Sequence, residues 1–223
     1  MANQHIQFTP GVIGIHNTPH LVKKSFDNLP FDKYSPNNDR LRRYAQFKVS
    51  LENDDVLAIQ PLTNTVFSQK VTDNRSKPRK FEAIESSLLQ SNWLSAFIAE
   101  IAGLSVICRS KENRSSSNML VDVHQVRQLC FPHHPSDNAP EGIHRDGADY
   151  IVSAFVINRQ NVSGGMSIIY NENKEEICRT VLESGEGIFM EDRKQWHDVT
   201  PVVSTNNRMG IRDIFGLDVT FQD

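Results

Sequence analysis

Hydrophobic and polar positions change their rhythm twice along this chain. Through about residue 40, Pro, Asn and Asp break every apolar run, leaving room for one short helix around Leu21–Asp27. "DRLRRYAQFKV" then alternates like a strand, and "VLAIQPL" reads as another. "TDNRSKPRK" has no apolar period and reads as an exposed, mobile loop. In "FEAIESSLLQSNWLSAFIAEIAG" the apolar residues Ile84, Leu88, Trp93, Leu94, Phe97, Ile98 and Ile101 recur at helical spacing, and Gly103 is a plausible stop.

Beyond Gly103 the period shortens. "LSVICRS" and "MLVDVHQVRQLCF" read as strands separated by the polar turn "KENRSSSN". A loop of Pro, His, Ser and Asp leads to "EGIHRDGADYIV". Six further candidates follow: "DYIVSAFVIN", "GMSIIYN", "EEICRTVL", "GEGIFME", "WHDVTPVV" and "GIRDIFGLDVTF". Many short strands with turn signals every dozen or so residues indicate a β sandwich, jelly roll or barrel, with the helices as buttress. The expected organisation is one domain over 1–223. In it, residues 1–103 form a helix-and-strand support and 104–223 form the β core.

Composition narrows the class. With 223 residues and 38% hydrophobic content the chain can bury a sizeable core. A formal charge of -3 gives no electrostatic case for nucleic acid or an anionic membrane. The three cysteines, Cys108, Cys130 and Cys178, have no framework spacing and suit a reducing compartment. No basic-then-apolar leader opens the sequence, and no apolar run approaches the roughly 20 residues of a membrane span. The expected location is the cytoplasm.

The chemistry is concentrated in the β region. His144 and Asp146 stand two apart, so on a strand both side chains would leave from one face. Alone, such a pair reads first as a surface hydrogen bond at a strand end, with an acid/base pair or two metal ligands as the alternatives. His197, 51 positions after Asp146, opens a strand candidate in "QWHDVTPV". A jelly roll can bring such a distant strand beside the first. Two imidazoles and a carboxylate would occupy one face of an octahedral ion and leave positions open, which suits non-haem Fe(II). Catalytic zinc competes for the same ligand types. Arg212 follows His197 by 15 positions. On an inward strand face its planar fork matches a carboxylate bidentately; the plain alternative is a salt bridge to Asp213 or Glu191.

"EGIHRDGADYIV", "NVSGGMSIIY", "WHDVTPV" and "GIRDIF" together resemble the 2-oxoglutarate/Fe(II) dioxygenases that include the bacterial free L-isoleucine hydroxylases. "HQVR", His124 to Arg127, resembles the strand that precedes the metal motif in that family. The likeness covers about residues 120–221. It implies a mainly β fold with flanking helices, built on a double-stranded β-helix (a cupin-like jelly roll). It also implies Fe(II) held by His144, Asp146 and His197, and 2-oxoglutarate anchored by Arg212. Arg208 is the second choice, because it does not match the family's Arg-Asp. Ile214 stands where many such enzymes place a hydroxyl residue. The implied reaction consumes O₂ and 2-oxoglutarate, releases succinate and CO₂, and hydroxylates an unactivated C–H bond of a free L-amino acid, aliphatic side chains favoured. The alternatives are the same chemistry on a peptide- or carrier-bound residue, and a cupin-like module that binds metal or ligand without oxidation.

A free amino acid needs a cationic or amide partner for its α-carboxylate. Gln125 and Arg127, sharing one face of the strand before the metal motif, are the candidates, with Arg159 as another. The remaining conspicuous residues have plainer readings. His133 and His134 lie between prolines in a solvated loop; His124 is a core or supporting histidine; Trp196 packs; Arg145 is structural. Gly164-Gly165 permits a turn with positive φ.

Overall fold

The computed structural model describes residues 11–15, 17–110, 117–137, 139 and 141–222. The N-terminal half supplies β1 (Gly11–Gly14), α1 (His20–Lys24), β2 (Arg40–Glu52), β3 (Asp55–Pro61), β4 (Val66–Phe67), β5 (Arg79–Lys80), β6 (Glu82–Ala83), α2 (Ser86–Leu89) and α3 (Asn92–Ser110). The remainder is strand: β7 (Asn118–Cys130), β8 (Tyr150–Gln160), β9 (Val162–Gly164), β10 (Met166–Tyr170), β11 (Glu176–Val181) and β12 (Glu186–Met190). β13 (Trp196–Val199), β14 (Val202–Ser204) and β15 (Gly210–Gln222) complete it.

A major antiparallel sheet runs β1-β12-β8-β15-β7-β2-β3, with β6 added beside β2. A minor sheet, β11-β10-β13, and a ribbon, β14-β9, complete the second wall. At the centre, β15 and β7 pair without a slip from Gly210↔Cys130 to Gln222↔Asn118. One face of the major sheet carries Phe47, Val121, Val123, Phe155, Phe215 and Leu217 and packs on α1 and α3 through Val22, Phe26, Leu94, Phe97, Ile98 and Ile101. The other face, with Val126, Ile151, Val156 and Ile214, meets Ile169 of the minor sheet. Each fully buried large apolar side chain contributes roughly 1.5–3 kcal/mol, so the two layers hold the sheet from both sides. Helices on one face and a small sheet on the other give the double-stranded β-helix that the sequence led us to expect.

The expectations for one helix and one loop need correction. The helix read from Phe81 starts late: Glu82–Ala83 is β6, Ser86–Leu89 is the separate α2, and α3 begins at Asn92. Gly103 does not end the helix, and "LSVICRS" is its last two turns rather than a strand. Buried Ala102, Ser105 and Val106 continue the stripe begun by Leu94, Phe97 and Ile101. That continued burial outweighs the ~1 kcal/mol a mid-helix glycine costs. The Ser91 hydroxyl accepts the Leu94 N–H and caps the start. Over Asn92–Arg109 this helix is long and apolar enough to cross a membrane by length and composition, but half of that stretch is buried within the fold. Its apolar face is the underside of a sheet. Second, the supposed loop "TDNRSKPRK" is structured. Asp73 caps a 3-10 turn at Asn74–Ser76, and β5 follows, pairing with β4. The polar turn expected at 111–118 lies almost wholly outside the described residues.

Candidate active site

The space between the two walls is a cavity of about 280 Å³. Into it project His144 and Asp146 from the loop before β8, His197 from β13, and Arg212 from β15. His144 and Asp146 are therefore not on a regular strand. His144 alone is strand-like, because it bridges His197 through two reciprocal backbone hydrogen bonds of 2.9 Å each. Asp146 leaves from irregular backbone just before Gly147, whose φ of 84° no other residue adopts cheaply. A side chain there would also meet the Lys70 carbonyl oxygen at 2.5 Å.

The Nε2 atoms of both histidines face the same carboxylate, His144 at 3.6 Å and His197 at 3.5 Å. One ligand atom from each of the three residues lies within 4.8 Å of the others. Ligands about 2.1 Å from one ion and cis to each other lie roughly 3 Å apart, so this spacing fits a single ion. His144 Nδ1 lies 2.7 Å from the Gly142 carbonyl oxygen. A carbonyl can only accept, so the ring proton sits on Nδ1 and the Nε2 lone pair is free to bind metal. Burial, reinforced by His144 and Arg75 and opposed by Asp146, holds His197 down at about 4. Its imidazole is neutral at ordinary pH, as a ligand must be.

The loop carrying Asp146 is held by an acid remote from it in sequence. The Asp192 carboxylate accepts the backbone N–H groups of Asp146, Gly147 and Ala148 at 2.7–3.1 Å. Burial, together with the Asp146 charge, raises Asp192 to about 6, against those hydrogen bonds. Gln69 donates its amide to the Asp146 carboxylate, and Arg75 stands 3.8 Å from it. None of these three helpers was visible in the sequence, since their link to Asp146 is purely tertiary. Arg75 and Arg79 sit in the stretch read as a mobile loop, yet both line the cavity.

Arg212 is 0% exposed. It donates Nη1 to Gln128 Oε1 at 3.1 Å, leaving its own Nε and Nη2 and the Gln128 Nε2 without partners. Three buried donors thus converge with no acceptor. Burial, helped by Arg159, pulls the guanidinium down to about 10, so it remains a cation. The two salt-bridge partners weighed for Arg212 are held elsewhere: Asp213 by Arg127 at 2.6 Å and Glu191 by Lys194 at 2.9 Å. Gly165 explains the close approach of the neighbouring turn. Its φ is 65°, and an added Cβ would lie 3.3 Å from Arg212 Cζ and Nε.

Other expected residues go elsewhere. Gln125 and Arg127 do not face the cavity. Gln125 is buried against α1 and donates to Ser25 Oγ at 2.7 Å, while Arg127 holds Asp213 and reaches Asp27. On β7 the even-numbered positions point the other way: His124 and Val126 line the cavity and Gln128 meets Arg212. Arg208 is exposed. Arg159 bonds the Gly164 carbonyl oxygen at 2.9 Å. His133 and His134 are exposed as expected, and Trp196 packs under Arg145 and Lys174. His124 is buried, lines the cavity and supports Arg42, in keeping with the reading of a core or supporting histidine.

Comparison with known proteins agrees with this geometry. A family model described as 2OG-Fe dioxygenase matches residues 23–218. The L-isoleucine-4-hydroxylase of Bacillus thuringiensis is 27% identical over 211 residues, 92% of this chain and 83% of that protein. The 3(1)-hydroxy-L-isoleucine 4-dioxygenase of Pantoea ananatis is 26% identical, covering 90% and 79% of the two chains. Among solved structures, a bsmA homolog from Methylobium petroleophilum superposes with a TM-score of 0.78 at 20% identity, covering 91% of this chain and 82% of that one.

Proposed function

Because the chain belongs to the 2OG-Fe dioxygenase family, an enzyme family whose members use Fe(II), 2-oxoglutarate and O₂, we propose that it hydroxylates an unactivated C–H bond of a free L-amino acid with an aliphatic side chain. Two relatives named for isoleucine oxidation support the substrate class. In this reading His144, Asp146 and His197 hold the iron, and Arg212 with Gln128 holds the distal carboxylate of 2-oxoglutarate. The observation that carries it is the set of three orphaned donors on Arg212 and Gln128 beside a two-histidine, one-carboxylate cluster. A carboxylate arriving there satisfies donors that otherwise cost about 1–3 kcal/mol each in burial. A cupin-like binding module has no use for such an anchor.

When bound, iron would activate O₂, which is the oxidant, while 2-oxoglutarate would supply two electrons and leave as succinate and CO₂. The protein's side chains do the rest by placement. His144 presents Nε2 because its Nδ1 proton is committed to the Gly142 carbonyl oxygen. Asp192 fixes the backbone under Asp146. Val126, Val152 and Ile214 give the cavity apolar walls that keep water from the reacting carbon. No general base is required; the position of the substrate selects the carbon. At about 280 Å³ the cavity lies just under the usual range of ligand sites, roughly 300 to 1,000 Å³, and so fits small molecules better than a peptide. The three cysteines form no disulfide and accord with a cytoplasmic home.

The test is incubation with Fe(II), ascorbate, 2-oxoglutarate and a mixture of free L-amino acids, followed by mass spectrometry. Gain of one oxygen atom on an aliphatic component, matched by succinate, is expected. Succinate release that no free amino acid stimulates would refute the substrate assignment.

A further inference from the structure

The cavity has a second cationic pole, two guanidiniums with no carboxylate in direct contact; Asp32 and Asp218 act on Arg42 only from beyond that distance. Arg42, on β2, is 9% exposed and lines the cavity, as does Arg79 on β5. Arg40, beside them, is paired with Asp32 at 2.7 Å. Among the described residues, neither Arg42 nor Arg79 has a carboxylate within ion-pair distance, and the Nε of each is buried without a partner. Aromatic rings hold both in place. The Arg42 guanidinium lies over Phe81 at 4.3 Å, and that of Arg79 lies over Phe67 at 5.3 Å. Arg42 also donates Nη2 to His124 Nδ1 at 2.5 Å, which puts the His124 proton on Nε2, facing Asp218 at 3.4 Å. His124 is therefore a neutral acceptor and does not neutralise Arg42.

A buried guanidinium without a counter-ion is costly, and the usual resolution is an anion from outside the chain. Arg212 already accounts for the co-substrate. We infer that Arg42 and Arg79 form the site for the substrate's own carboxylate. This rests on the dioxygenase reading of the cavity and names the feature the substrate must carry, a free α-carboxylate. Peptide-bound and carrier-thioester residues lack that group and are excluded.

The placement suits the task. Arg79 donates Nη2 to Gln69 Oε1 at 3.1 Å, and the Gln69 amide donates in turn to Asp146. One glutamine thus ties the carboxylate site to the metal-binding acid and sets the distance from the anchored end of a substrate to the reacting centre. A planar fork gives direction as well as charge, so a carboxylate held by it has a defined orientation.

The test is calorimetric titration of the Mn(II)- and 2-oxoglutarate-loaded protein with free L-amino acids and with their carboxamides. The free acid of an aliphatic residue is expected to bind, and its carboxamide to bind on the order of 10- to 100-fold more weakly. Arg42→Gln and Arg79→Gln should lose amino-acid binding to a similar degree while retaining 2-oxoglutarate. Arg212→Gln should lose 2-oxoglutarate, and the exposed-site control Arg208→Gln should lose neither. The carboxamide comparison uses the unaltered protein and stands even if a variant fails to fold. Equal binding of acid and carboxamide, wild-type amino-acid affinity in Arg42→Gln, or no amino-acid binding by protein that binds 2-oxoglutarate would each overturn this site and leave the dioxygenase reading intact. Failure of the unaltered protein to bind 2-oxoglutarate would overturn both.

Discussion

Gly165→Ala is a sharp probe of how the turn and the co-substrate anchor depend on each other. Gly165 has a φ of 65°, where a Cβ costs about 1–2 kcal/mol against the following carbonyl. The new methyl would also lie 3.0 Å from Val202 Cγ2 and 3.3 Å from Arg212 Cζ and Nε. Crowding of that kind adds about 1–3 kcal/mol. Together, about 2–5 kcal/mol of stability is lost, which for a chain of this size lowers Tm by roughly 4–20 °C. The guanidinium must yield by a few tenths of an ångström, so affinity for 2-oxoglutarate should fall on the order of tenfold. Gly164→Ala supplies the contrast. Its Cβ would lie 2.3 Å from the Pro201 carbonyl oxygen, a backbone atom that cannot step aside, and its three nearest neighbours are all backbone atoms of Pro201 and Val202 rather than Arg212. Thermal unfolding and 2-oxoglutarate titration of Fe(II)-loaded protein under argon separate the two. Gly164→Ala should be the worse for stability and Gly165→Ala the worse for 2-oxoglutarate at temperatures where both are folded. Undiminished 2-oxoglutarate affinity in folded Gly165→Ala would refute the reasoning.

Three other outcomes follow from the same structure. Asp192→Asn removes a charged acceptor from the three N–H groups beneath Asp146 and should weaken metal binding about 10- to 100-fold, read by Mn(II) titration. Arg127→Gln leaves the buried Asp213 carboxylate without its cation and should cost about 3–5 kcal/mol in denaturant unfolding, with no change in 2-oxoglutarate affinity. Burial pushes the Cys130 thiol up to about 11. At pH 8, below that value, roughly one molecule in a thousand carries the thiolate. Iodoacetamide on the native protein should therefore leave Cys130 unmodified in peptide mass spectra while it labels the partly exposed Cys178.

The metal cluster was readable because its signal is carried by residue type: a histidine and an aspartate close in sequence, and a second histidine at a strand start. The inward placement of Arg212 was readable for a related reason, since a guanidinium within an apolar strand stands out by residue type. The face of β7 was not. Gln125 and Gln128 are both 1% exposed, because the helices cover one side and the minor sheet the other. Where both faces are buried, alternation does not distinguish inside from outside. Arg42, Gln69, Arg79 and Asp192 were hidden for a different reason. Their roles come from partners far away in the chain, and nothing local marks them. Gly103 misled because a stop signal near a helix end is only a tendency, and here the buried stripe continues past it.

The paired main-chain bonds between His144 and His197 have a last consequence. They fix the spacing of the two imidazole-bearing residues through peptide groups, a constraint that does not depend on a cation. Stripping the protein with a chelator should silence it while its melting curve shifts only by the mass-action contribution of the departed ion. Such an enzyme can be emptied and refilled without passing through an unfolded chain.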